Sequence, residues 1–87
     1  MAVGETVPVG DTARLDRLAT NAATVGIIQL NCPAANVTVQ RMGAGMYRVA
    51  GCDRFVDYLC GDVGSAIRHE VRCSVQAASP APAAPAQ

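Results

Sequence analysis

Lysine and tryptophan are absent from this 87-residue chain, and there are only one phenylalanine, two tyrosines and one histidine. All seven basic residues are arginines, and seven acidic residues cancel them to a formal charge of zero. A chain without net positive charge has no electrostatic footprint for nucleic acid or for an anionic membrane surface. No apolar run approaches the roughly 20 residues that a membrane-spanning helix needs, and the length excludes two domains. The apolar fraction is 51%, but 16 residues are alanine, so few large side chains remain to fill a core.

Catalytic signatures are missing as well. No GxSxG, HExxH, Walker loop or strand-linked GxGxxG occurs, so the sequence is expected to be non-enzymatic and to carry no cofactor. His69 with Tyr58 or Glu70 is the one conceivable proton relay, yet a lone histidine at a strand position reads first as a packed or half-exposed sheet residue. Cys60 precedes Gly61-Asp62, and an acidic neighbour raises a thiol pKa, which works against a reactive cysteine there.

Four cysteines are the feature that is present. Cys32, Cys52, Cys60 and Cys73 are separated by 19, 7 and 12 residues, with no CxxC or CxxH knuckle. Structural zinc sites usually draw two ligands from such a knuckle, whereas small folds with thin cores are commonly stapled by disulfides. Disulfides are therefore expected, with no metal site. The alternative is a cytosolic protein whose four thiols bind zinc or sense redox state. Residues 1–10 carry neither a basic n-region nor an apolar h-region. The reading preferred is an extracellular, periplasmic or outer-envelope protein whose signal has been removed, with a cytoplasmic protein as the alternative.

Along the chain, residues 1–10 mix Gly, Pro and Val without period and are expected to be a flexible segment, and residues 77–87 form an Ala/Pro tail expected to be disordered. Between them, 11–76 reads as one domain. Asp11 suits a helix N-cap, and Leu15, Leu18, Ala22 and Val25 form a narrow apolar stripe. The helix is expected to end between Val25 and Asn31, before Pro33.

From Asn36 the period changes to two. Val37 and Val39 precede a Gly43-Ala44-Gly45 turn, and Tyr47 and Val49 follow it, a hairpin that pairs Val39 with Val49, Arg41 with Tyr47 and Met42 with Met46. A second turn at Gly51-Cys52-Asp53-Arg54 sets Val49 against Val56 and Tyr47 against Tyr58. After an expected turn in the Gly61–Ala66 stretch, Ile67, His69, Val71 and Cys73 alternate as a fourth strand, with Val71 opposite Val56. In that register Val37, Val39, Tyr47, Val49, Val56, Tyr58, Ile67 and Val71 face the helix. The fold class is α+β: one N-terminal amphipathic helix on a three- to four-stranded antiparallel meander.

The same register sets Cys52 and Cys60 about 25 Å apart along one strand, too far to bond. Cys32 with Cys52 is the preferred bridge. Parity then leaves Cys60 with Cys73, which requires the last strand to be shorter than, or offset from, the register above. The solvent face of the sheet is expected to hold Arg48, Arg54, Arg68 and Arg72, with Asp53, Asp57 and Glu70 among them. These arginines are either members of a mixed-charge solvated face or a surface for an unidentified protein partner or a second copy.

The run from Cys32 to Cys60, CPAANVTVQRMGAGMYRVAGCDRFVDYLC, resembles a cysteine-containing module of small secreted proteins and lipoproteins of myxobacteria and related bacteria. Cys32-Pro33, Val37 and Val39, Gly43 and Gly45, Tyr47-Arg48-Val49, Gly51-Cys52 and Tyr58-x-Cys60 match its pattern. Asp53 departs from it, standing where the module has glycine. The resemblance covers about a third of the chain. It implies a stapled β-meander outside the cytoplasm and a functionally uncharacterised family, with no catalytic residue to carry over. The function expected is protein binding or self-association by a secreted or envelope-associated domain.

Overall fold

In the computed structural model, which describes residues 1–64 and 67–79, one α-helix lies on a five-stranded antiparallel sheet. Along the chain come β1 (Thr6–Pro8), a 3-10 turn (Thr12–Arg14), α1 (Arg17–Leu30), a second 3-10 turn (Ala34–Asn36), β2 (Val37–Gly43), β3 (Met46–Gly51), β4 (Arg54–Gly64) and β5 (His69–Ala78). The strands follow one another across the sheet in sequence order.

The three central strands hold the expected register. Val39 lies opposite Val49, Arg41 opposite Tyr47, Tyr47 opposite Tyr58 and Val49 opposite Val56. One pair differs. Met46 faces Gly43, because a bulge between Arg41 and Gly43 takes Met42 out of the ladder. Gly45 makes this turn, with φ +74° and its Cα so close to β4 that a Cβ would sit 2.8 Å from the Cys60 carbonyl oxygen. The second turn places Cys52 and Asp53 both in the left-handed region, at φ 53° and 61°. That is the geometry of a two-residue hairpin turn whose twist matches its strands, achieved here without glycine.

Three expectations are corrected. First, Thr6–Pro8 of the N-terminal segment is not loose: it pairs with β2 as an edge strand and buries Val7 completely. The absence of a periodic pattern hid it because the strand is three residues long, with Pro8 tolerated at an edge. Second, α1 does not start at Asp11. Asp11 leads the 3-10 turn without a side-chain cap, Leu15 is extended, and the helix is capped by Asp16, whose carboxylate accepts from the Ala19 amide at 2.7 Å. The end is where expected, at Leu30, with Asn31 left-handed as the C-cap. Third, no turn closes at Gly61: β4 runs to Gly64, and β5 is displaced along it as far as Ala78, so Ala77 and Ala78 of the expected tail belong to the sheet, while residues 80–87 of that tail lie outside the described residues. Cys60 faces Cys73 instead of Ile67, and Val56 faces Ala78 instead of Val71.

The core is the layer between α1 and one sheet face. The helix contributes Ala19, Ala22, Ala23, Gly26 and Leu30, while Leu18 and Val25 of the expected stripe are half-buried at its margins. The sheet contributes Val7, Val37, Val39, Tyr47, Val49, Val56, Tyr58 and Cys60. Ile67, expected in this layer, is 96% exposed, and Val71 is only half-buried. Small helix residues bring the helix down onto β3, and Gly26 marks the closest approach: a Cβ there would lie 2.5 Å from Val49 Cγ1.

Candidate functional site

Both bridges of the preferred connectivity are present, Cys32–Cys52 with Cα atoms 6.1 Å apart and Cys60–Cys73 at 4.0 Å, and no described cysteine is free. Cys32–Cys52 ties the segment after α1 to the β3–β4 turn. Cys60–Cys73 joins β4 to β5 at directly opposed positions. Cys60 donates its amide to Gly45 O, in the turn before β3, at 2.7 Å, so its backbone groups point away from β5 and the Cys60–Cys73 pair is one of the close, non-hydrogen-bonded pairs of an antiparallel ladder.

Among the described residues, no element covers the sheet face away from α1. β4 is apolar in both phases: Val56, Tyr58 and Cys60 point into the core, while Phe55, Leu59 and Val63 alternate with them toward the open face. Leu59 is 45% and Val63 43% exposed. With Gly61, Arg72, Ser74 and the chain at Cys60 and Cys73 they line a shallow open groove of about 530 Å³. Sequence reasoning missed this groove. The signal was the second apolar phase of β4.

The four candidate arginines are not brought together. Arg48, on the open face, is committed to a cross-strand fork with Asp57, Nε to Oδ1 at 2.7 Å and Nη2 to Oδ2 at 3.0 Å, and its guanidinium stacks 4.3 Å over the Phe55 ring. The hydrogen bond to Asp57 raises the Arg48 pKa above its ordinary value. Arg54 is not on the solvent face. Its phase matches that of Val56, and its Nη2 donates to the Leu30 carbonyl at the C-terminus of α1, where a cation also complements the helix dipole. Arg68 is exposed in the β4–β5 connection. Arg72 lines the groove with a side chain 72% exposed, and its Nε lies 3.5 Å from Glu70 Oε1.

His69 lies opposite Gly64, six residues along β4 from the buried Tyr58. Its Nδ1 lies 3.9 Å from Asp62 Oδ1, with 62% of its side chain exposed. Tyr47 and Tyr58 both have raised pKa values, chiefly from burial, and Tyr47 also from the Asp16 carboxylate to which its hydroxyl donates at 3.1 Å. Among the described residues no group of three or more His, Cys, Asp or Glu side chains could hold a metal ion, and no helix is long and apolar enough to cross a membrane.

These features define a class: a small disulfide-stapled α+β domain with one sheet face covered by a helix and the other open. Its two disulfides fit a location outside the cytoplasm. Comparison with protein-family models, curated proteins and solved structures finds no match for the chain.

Proposed function

We propose that this is a non-enzymatic secreted or envelope-associated domain that acts by protein binding or self-association. The observation that carries the reading is the side of the sheet away from α1, where Leu59 and Val63 are exposed beside Arg72 and, among the described residues, no strand pairs with the outer edge of β5. Exposed apolar side chains flanked by arginine, with main-chain groups available at an edge, are the elements of a protein contact surface. The likeness of Cys32 to Cys60 to the myxobacterial module, and the two bridges, support the compartment. In the bonded state no thiol is left to ligate zinc, so the cytosolic reading requires both bridges to be reduced.

The test is made on protein from the producing cells, fractionated without reductant and then crosslinked. An extracytoplasmic species about 4 Da lighter than the reduced mass, resistant to alkylation and crosslinked into an assembly larger than the 8.9 kDa chain, is the expected result. A cytosolic chain with four alkylatable thiols would overturn the compartment, and an uncrosslinked monomer in its own fraction would overturn the binding role.

A further inference from the structure

We propose that β5 pairs with β5 of a second copy of this chain, antiparallel about a two-fold axis at Val71, joining the two sheets edge to edge. The proposal deepens the binding reading above and rests on it, naming the surface and the occupant.

The two sheet edges are unequal. β1 is three residues long and carries Pro8, whereas β5 has ten residues and no proline. The ladder phase shows which groups β5 presents. The Cys60 amide bonds to Gly45, on the β3 side of β4, so Leu59, Gly61 and Val63 bond to Ser74, Arg72 and Glu70. The N–H and C=O groups of His69, Val71, Cys73 and Val75 therefore point outward, away from the sheet. This regular stretch ends at Gln76, where a register shift lies between the Asp57–Ala77 and Tyr58–Val75 pairs.

A two-fold edge pairing has few registers within that stretch, and charge selects among them. An axis at Arg72 sets two guanidiniums against each other. An axis at Cys73 sets Arg72 against Ser74 and Glu70 against the bulged Gln76, leaving the charges without partners. An axis at Val71 sets Glu70 opposite Arg72 of the second copy, twice, on the open face. Val71 then meets its own copy on the helix side, and the 96% exposed Ile67 reaches the level of Val75, itself 49% exposed. Glu70 and Arg72 already share one face, with side chains 58% and 72% exposed, so the four charges form an alternating square. About six main-chain hydrogen bonds form between His69, Val71 and Cys73 and their copies. An interface this narrow is weak and salt-sensitive.

Sedimentation of the purified, oxidised chain between roughly 10 μM and 1 mM tests it. A monomer–dimer equilibrium is expected, loosened about tenfold or more by Glu70→Arg or by Arg72→Glu, each of which sets like charges opposite. The double swap E70R/R72E is expected to restore the dimer. Hydrogen exchange at the Val71 and Cys73 amides should slow as concentration rises, while far-UV circular dichroism confirms that each variant is folded. A chain that stays monomeric throughout, or a dimer indifferent to both single changes, overturns the proposal. A monomeric purified chain that is nonetheless crosslinked to another protein in its own fraction would sink this pairing and leave the binding function standing.

Discussion

Asp16 does two jobs with one carboxylate. It caps α1 through the Ala19 amide and accepts the hydroxyl of buried Tyr47 on β3 at 3.1 Å from both of its oxygens. Asp16→Ala removes the cap, worth about 1 kcal/mol, and strands a buried hydroxyl, worth about 1–3 kcal/mol, so a loss of about 2–4 kcal/mol is expected in urea unfolding. Asp16→Asn keeps an acceptor for each role and should lose less than half of that. Tyr58 presents the opposite case, since its buried hydroxyl has no hydrogen-bond partner among the described residues. Tyr58→Phe should therefore stabilise the chain, by about 1 kcal/mol. The pH dependence follows from the same two tyrosines. Both have folded pKa values above the usual 10.0, so their contribution is complete below pH 10 and is lost as pH rises from there through the folded values. Thermal melts should be flat between neutral pH and about pH 9 and fall above pH 10, and Tyr58→Phe should shrink that fall. Neither role was readable beforehand. The sequence pointed to Asp11 as the cap, and Tyr47 meets the Asp16 carboxylate only after folding.

At the scale of elements, the helix–sheet distance is set by Gly26. Alanine would gain about 1 kcal/mol of helix propensity but would drive a methyl into Val49, and overpacking typically costs about 1–3 kcal/mol. Gly26→Ala should be net destabilising by about 1–2 kcal/mol in denaturant titration, and Val49→Ala in the same chain should recover part of that loss by making room. A stabilised Gly26→Ala would show that the helix can lift without penalty. The sequence displayed the meander well where local signals agreed. Two tight turns and the facing valines and tyrosines fix the register of β2, β3 and β4, except at the Met42 bulge and the far end of β4. It displayed β5 badly, because a period of two constrains only the face. Moving the partner of Cys60 from Ile67 to Cys73 is a slide of an even number of residues, which leaves every β5 side chain on the face it was expected to occupy while changing what it touches. The cysteine pairing carried the missing information and conflicted openly with the slid register. The groove was hidden for the same reason: Leu59, Gly61, Arg72 and Ser74 become neighbours only in the true register. Arg54 was misplaced although the expected register already set it in phase with Val56, two residues on; what holds it on that side is the Leu30 carbonyl, which becomes its neighbour only after folding.

The molecule as a whole depends on its bridges because its core is small. Valine, alanine and two tyrosines make up nearly all of the buried layer, with Leu30 the only buried leucine. A domain of this size ordinarily has only about 5–15 kcal/mol of net stability at most, and small cores fall at the low end. The bridges close sequence separations of 20 and 13 residues, each expected to contribute about 3 kcal/mol by restricting the unfolded chain. Cys32→Ala/Cys52→Ala and Cys60→Ala/Cys73→Ala should each lower the melting midpoint by about 10–20 °C. The two differ in what they loosen. Cys32–Cys52 anchors the chain between α1 and β2 to the left-handed β3–β4 turn, so its loss should speed amide exchange through the core. Cys60–Cys73 lies where β4 and β5 run on past Met46, the first residue of β3, and its loss should first release the ribbon from Gly61 to Arg72. Removing both together takes away about 6 kcal/mol, comparable to the whole stability, so the cysteine-free chain or the fully reduced protein should lose its cooperative melt near 37 °C. A reduced chain that still melts cooperatively at high temperature would mean that the thin core suffices alone, and that the bridges serve something other than stability.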